Sequence, residues 1–447
     1  KDMAQVFARL EADVAALVPQ GGLTPEALLT VLRLFQQGGH APGSGLCEAL
    51  AGVGPTDLPA MDFGAVVASL DDALADMGGD VFACFEQLRP MLSTMPVEAR
   101  GVMGAELLVN DKSPALRNLG LAWLLDAEEG VRVQAAQAIH QAAGQDKVSP
   151  DMLRRLILLR NVLPPAILPD IDNAIKTARR KGVDCLPLAE PVVVEFMASG
   201  FDGAGAQSLF VWLKQGRKQA LASLLFKMDA GIRDAWVQTG MTKVRITEML
   251  EQIDDGMGLN LSGPDYLRQA LSHFLAISLE QKQPIPFGLL AVAEALALPA
   301  LHPVRERGSA TLLTDVLTAL PSAETDEKAF MRARDISAYW THSVTITTHW
   351  FEQSPEIDAL LAGRRLSRPK QVDLILDQAL PAQRDRWIDI LTWTGLSMRE
   401  GDRKGIWVDY LLLARALAAG DAPRTLPIMR QIATQTVEAW RYHNSRP

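Results

Sequence analysis

Cysteine is nearly missing from this 447-residue chain, and the three present, Cys47, Cys84 and Cys185, are far apart. An odd, scattered trio frames neither a disulfide scaffold nor a zinc site, and it suits a reducing compartment, so a cytoplasmic protein is expected. Tyrosine is just as sparse, at four residues, while Ala and Leu dominate, a bias that favours helices over sheets. No apolar run is long enough to cross a bilayer, because Asp, Glu, Arg or Gln interrupts every few residues, and no membrane association is expected. The visible start, KDMAQVFARLEADVAAL, reads as an amphipathic helix without a hydrophobic signal core. Missing too are the spacings that chemistry requires: there is no HExxH, no paired CxxC, no GxSxG and no phosphate loop ending in Gly-Lys-Ser or Gly-Lys-Thr. No catalytic residue, metal or cofactor is therefore assigned.

What is present is unevenly distributed. The net charge of −9 hides a gradient, with 5 Lys or Arg against 13 Asp or Glu over residues 1–100 and 14 against 9 over residues 361–447. One uniform nucleic-acid surface is excluded, and a basic C-terminal end is left for an anionic partner.

The only local pattern that repeats lies between Asp111 and Ala143. Asp111, Leu116 and Arg117 are matched in spacing by Asp126, Val131 and Arg132, and after the second set Val131, Ala135, Ala136 and Ile139 recur at helical spacing. The pattern predicts two antiparallel helices around a tight turn, in which Asp126 accepts backbone N–H groups and Arg132 reaches that Asp or a carbonyl. The run Asp126 to Ile139, with the preceding half as a partial match, resembles a HEAT-like repeat. The resemblance implies an all-α fold, a right-handed α-α superhelix of HEAT or armadillo type, clearest over residues 97–180 and followed by a more irregular helical C-terminal half. It also implies a partner-binding scaffold, since stacked helix pairs expose one long surface. Three regions are expected: residues 1–95, the repeats at 96–187, and 188–447.

Helix starts are marked by a capping residue, a proline and an acid at Thr24-Pro25-Glu26, Ser149-Pro150-Asp151 and Ser354-Pro355-Glu356, with Ser113-Pro114 a shorter version. Gly38 to Pro59 reads as a long loop. Residues 192–197, 207–213, 218–227 and 232–237 read as short helices, and Lys328 to Phe351 as one long one. No segment alternates long enough for a convincing strand; VTIT near Val344 comes nearest.

Three constellations are candidate sites. On the expected long helix, Asp335, His342 and His349 fall near one line, a polar stripe that could line a groove, although two turns separate the histidines, too far for one metal in a straight helix. The second, Trp387, Trp393 and Trp407 with Arg399, Arg403 and Lys404, combines residue types that dominate partner surfaces and can also stack bases. The third is the turn of Asp126 and Arg132, expected to be structural. Gly200, Gly203 and Gly205 read as a helix-helix turn, and the acidic pairs Asp170/Asp172 and Asp254/Asp255 as helix-end caps. A soluble scaffold for a protein or peptide is thus expected, the alternative being a nucleic-acid-binding or nucleic-acid-processing protein that uses the basic, Trp-rich C-terminal region.

Overall fold

The computed structural model describes residues 63–306, 308–362, 366–402 and 405–444. The expected N-terminal helix, the Thr24 helix start, the Gly38 to Pro59 loop and Cys47 lie outside them. By its contacts the chain falls into two compact units, the larger spanning Leu70–Ser445. Helix α1 spans Phe63–Asp76.

The larger unit begins with helices: α2 (Val81–Leu92), α3 (Val97–Leu108), α4 (Pro114–Gly120), α5 (Glu129–Gly144), α6 (Pro150–Leu159) and α7 (Leu168–Arg180). Asp80 caps α2 by accepting the Phe82 and Ala83 amides, each at 3.0 Å, and Ser113 caps α4 through the Leu116 amide. Helix α5 packs against both α3 and α7 and buries Val131, Ala135, Ala136 and Ile139. The paired alanines let backbones approach, and each large aliphatic side chain buried contributes roughly 2 kcal/mol.

The stack stops there, and the expectation of an all-α superhelix of HEAT or armadillo type is overturned at Val192. From that residue the chain builds a five-stranded antiparallel sheet from β1 (Val192–Ser199), β2 (Ala206–Gln215), β3 (Lys218–Lys227), β4 (Gly231–Met241) and β5 (Leu259–Leu261), in the order β4-β3-β2-β1-β5. All four stretches read as short helices are strands. The reason lies in burial: β3 is covered on both faces from Ala220 to Leu224, so it shows a continuous apolar run and no alternation. On one face Met197, Phe210 and Leu221 meet Ile246 and Leu250 of α8 (Lys243–Met257). On the other, α9 (Pro264–Glu280) and α10 (Gly288–Ala295) cover β4, and Phe274 stacks on Phe226 at 4.9 Å. The β2–β3 turn has only two residues, Gly216 and Arg217; Gly216 has φ +60°, where a side chain would be strained.

The remainder is helical: α11 (Ser309–Thr318), α12 (Glu327–Ile336), α13 (Pro355–Leu361), α14 (Arg368–Leu374), α15 (Arg384–Met398), α16 (Ile406–Ala418) and α17 (Pro427–Asn444). The long helix expected from Lys328 to Phe351 is not formed. After α12 come a 3-10 turn at Ser337–Tyr339, a single helical turn at Trp340–Ser343, extended Val344 and a second 3-10 turn at Thr345–His349. VTIT is therefore not a strand either. The break brings Trp340 and Trp350 inward, where they pack with Tyr410 and Trp387 at centroid distances of 4.2 to 6.3 Å. Aromatic burial outweighs helix continuity here, since Trp340, Trp350, Trp387 and Tyr410 are all essentially buried.

Candidate functional site

An antiparallel sheet has two edges, whose unpaired backbone groups need cover. At the β5 edge, Gly401 lies so close to Leu261 that an added Cβ would sit 2.4 Å from its carbonyl oxygen. The β4 edge is covered only in part. Because the β2–β3 loop has two residues, Gln215 and Lys218 form the closing hydrogen-bonded pair, so by alternation Leu221, Ser223 and Leu225 turn their backbone groups toward β4. Their partners there are Gln238, Trp236 and Asp234. Ala235 and Val237 therefore direct N–H and C=O away from the sheet. The Ala235 amide donates to Asp234 Oδ1 at 3.0 Å, and its carbonyl abuts Gly288, which has no room for a Cβ. Nearer the hairpin, the Ile232 amide donates to Ser278 Oγ at 2.9 Å. Among the described residues nothing caps Val237.

Val237 faces a cavity of about 870 Å³. It is lined by residues Trp236 to Thr239, by the start of α2, by residues of helices α4 and α6, and by Ala291, Glu294 and Ala295 of α10. A chain of polar contacts fixes this geometry. Arg155 grips Glu294 through Nε–Oε1 at 2.6 Å and Nη2–Oε2 at 2.9 Å, and its Nη1 donates to Asn118 Oδ1 at 2.9 Å. Asn118 Nδ2 donates onward to Asp151 Oδ2 at 2.8 Å, and the Arg155 guanidinium lies over the Phe82 ring at 4.8 Å. Arg155 and Asn118 are buried. The charged lining is Asp80, Glu86, Asp151 and Glu294 against Arg155, whose charge Glu294 already meets. The chemistry on offer is recognition: backbone groups at a strand edge beside an acidic cleft.

Sequence reasoning reached Asp151 as a helix-start acid and missed the rest. Asn118, Arg155 and Glu294 carry no local pattern, because they meet across long sequence separations. The signal available was Gly216-Arg217 between two apolar runs, a hairpin mark that would have shown β2 and β3 to be paired strands.

The sequence candidates lie elsewhere, and the structure does not bring them into one site. Trp387 and Trp393 are fully buried and Trp407 nearly so. The Trp387 indole donates to Glu352 Oε1 at 2.7 Å, and burial pushes that carboxyl up, opposed by Arg386 and the indole. Trp393 packs on His273 at 4.5 Å, and Arg399 lies over Trp407 at 5.3 Å. The contact area expected of these rings for a partner is thus used internally. Arg403 and Lys404 lie outside the described residues. The stripe of Asp335, His342 and His349 is spread over the end of α12, the turn Trp340–Ser343 and the 3-10 turn Thr345–His349; Asp335 pairs with Arg334, and His349 Nε2 lies 3.0 Å from the Gly256 carbonyl. At the third candidate, Asp126 Oδ1 accepts the Glu128 amide at 2.8 Å and pairs with Arg100, while Arg132 Nη1 donates to the carbonyls of Asp126 and Ala127. Gly200, Gly203 and Gly205 belong to the β1–β2 connection, not to a helix-helix turn, and Gly203 is held by the His349 carbonyl and by Arg386. Asp172 pairs with Arg160, and Asp254 accepts the Leu259 amide. Among the described residues no group of three or more His, Cys, Asp or Glu could hold a metal ion, and no helix is long and apolar enough to cross a membrane.

Comparison with known proteins divides the chain similarly. Residues 96–182 match the model of the Y4lR second domain, residues 188–300 that of a domain of unknown function (DUF7401), and residues 310–441 that of the Y4lR C-terminal helical domain. The repeat-like helices thus match a Y4lR domain, and the HEAT or armadillo assignment is corrected. The chain is 26% identical over 439 residues to a Sinorhizobium fredii protein named uncharacterized protein y4lR, covering 96% of this chain and 82% of that one. A methionyl-tRNA formyltransferase of Brucella ovis is 34% identical over 135 residues, 29% of this chain and 42% of that protein. No solved structure matches. The cavity is walled by both of the first two matched segments, with Asn118 and Arg155 from one and Val237 and Glu294 from the other.

Proposed function

We propose that the chain binds a protein partner by taking an extended, basic segment of it into the cavity beside β4. The observation that carries this is Val237, which lines the open cleft and whose N–H and C=O, by the alternation of the ladder, face away from β3. An incoming peptide residue would pair with both groups, continuing the sheet by a short stretch, and side-chain pockets on either side would select its neighbours. The edge is short, because Gly288 closes it at Ala235 and Gly240, with φ +72°, turns the chain away. One fixed register follows, not a long added strand. Charge supplies the selectivity: with Arg155 and Glu294 matched, the lining keeps Asp80, Asp151 and Glu86, the last paired with Arg89 outside the lining, so a ligand carrying Lys or Arg is favoured and an acidic one is repelled. We place the protein in the cytoplasm, a reading supported by Cys84 and Cys185, both free.

The test is selection of a random-peptide phage library on the wild-type protein, on Val237→Pro, which deletes the outward N–H, and on Ala291→Phe, which adds a ring at the cavity wall. The expected result is enrichment of Lys- and Arg-rich extended sequences on the wild type alone. Equal enrichment on all three would reject the site.

A further inference from the structure

The strand edge beside Val237 is open in one direction only. Gly288, the first residue of α10, lies so close to the Ala235 carbonyl that an added Cβ would sit 1.9 Å from its oxygen. Ala235 is the next residue toward the start of β4 whose backbone groups face outward, so the place where an added strand would take its next hydrogen bonds is filled by α10. In the other direction Gln238 and Thr239 still line the cleft, and the chain turns only at Gly240. A strand added at Val237 can run on past Thr239, but at Ala235 it has to stop. A chain terminus meets that stop without a bend.

Two orientations put a terminus there. Antiparallel to β4, the carboxyl end of the added strand would lie at Ala235; parallel to it, the amino end would. The charges at the closed end decide between them. Phe82 packs on Phe287, the residue before Gly288, with ring centroids 4.9 Å apart, which brings the start of α2 and its cap Asp80 to this end. Asp80 is exposed; its Oδ1 accepts the Phe82 and Ala83 amides, while its Oδ2 has no partner among the described residues. The one cation of the lining, Arg155 over the Phe82 ring, is held by Glu294. The start of α2 is capped by Asp80, and that of α10 meets the Ala235 carbonyl, so neither helix end is left to attract a carboxylate.

We infer that the cleft takes the amino-terminal end of its protein partner, parallel to β4, with the α-ammonium group toward Asp80. This rests on the peptide-binding reading above and adds polarity and register to it. In parallel pairing the Val237 amide donates to the carbonyl of the partner's first residue, and the Val237 carbonyl accepts the amide of its third. The α-ammonium then falls on the Ala235 side, where a charge-assisted hydrogen bond to Asp80 Oδ2 holds it. The third residue must carry an N–H, so proline is excluded there; the second, whose backbone groups face away from β4, tolerates it.

Two hexapeptide libraries of the same randomised sequences, fixed to beads by the carboxyl end, test this on the intact protein: one keeps its amino ends free and the other is N-acetylated. The labelled protein is expected to bind the free library, with proline missing from the third position of the recovered sequences, and to bind the same peptides at least about tenfold more weakly once acetylated. Asp80→Asn removes the charge and keeps the helix cap, which Asn forms as well as Asp. It is expected to weaken the free peptides about tenfold and to affect the acetylated ones less. Equal binding of the two libraries overturns the amino-terminal inference and leaves the peptide cleft standing, whereas binding of neither overturns both. Unchanged affinity of Asp80→Asn for the free peptides also overturns the inference.

Discussion

Arg155 and Glu294, 139 residues apart, meet in a two-pronged ion pair that joins α6 to α10. Their side chains are only 10% and 21% exposed, so the pair sits in a poorly screened place. Removing one partner would strand the other, and removing Arg155 would also take the donor from Asn118 Oδ1.

Arg155→Met is accordingly expected to cost about 3 kcal/mol of stability, at the lower end for a buried pair because the site is open to the cavity. The double variant Arg155→Met with Glu294→Met should recover part of that loss. Urea midpoints of the wild type and the three variants check it. A single-variant loss below about 1 kcal/mol would show that the pair is weakly coupled.

Two glycines with the same backbone sign should differ in tolerance. Gly216 has φ +60° and open space around it, whereas Gly231 has φ +78° and its Cβ would fall 2.1 Å from Ser278 Oγ and 2.5 Å from the Phe274 carbonyl. Gly216→Ala should cost about 1 kcal/mol, the conformational term alone, and Gly231→Ala clearly more because α9 must also move away from the sheet. Equal midpoints for the two variants in urea would contradict the close packing of α9 on the β3–β4 turn.

The pH dependence of stability should carry a mark of His273. Burial first, then the Arg305 charge, holds the ring down from 6.5 to about 3. Around it lie Arg305 at Nε2, the Glu306 amide at Nδ1, and the rings of Phe274 and Trp393. A depressed value means that the unfolded chain binds the proton first, so this stabilisation is complete above about 6.5 and is lost as pH falls toward about 3. His273→Gln should flatten the acid limb by up to about 1.4 kcal/mol per pH unit. Burial raises the values at Glu352, Asp389 and Asp409, which acts in the opposite direction but equally in both proteins. Urea unfolding of the two proteins at pH 7, 6 and 5 decides the matter; parallel slopes would remove His273 from the account.

What was legible in the sequence was local. Ser113, with a proline after it and a free amide three residues on, marks α4 wherever it occurs, and Val131, Ala135, Ala136 and Ile139 show their buried face through spacing alone. The sheet was hidden by its own burial: between two helical layers, Ala220 to Leu224 has no solvent face to mark a period of two, and its Ala and Leu content suggests a helix. The break of the expected long helix at Val344 was hidden for another reason, since the pull on Trp340 and Trp350 comes from Tyr410 and Trp387, distant in sequence. The same holds for the cleft. Its acids and its arginine are ordinary surface residue types until the fold brings Arg155 to Glu294, and the free edge at Val237 exists only once hairpin register is known.

That free edge is the centre of the functional account, and amide exchange at Val237 tests it most directly. A Lys- or Arg-rich peptide selected on the wild-type protein should slow exchange of the Val237 amide by at least about tenfold when bound, leaving Trp236 and Gln238, already bonded to β3, nearly unchanged. A bound peptide that leaves the Val237 amide exchanging at its free rate would contradict the account.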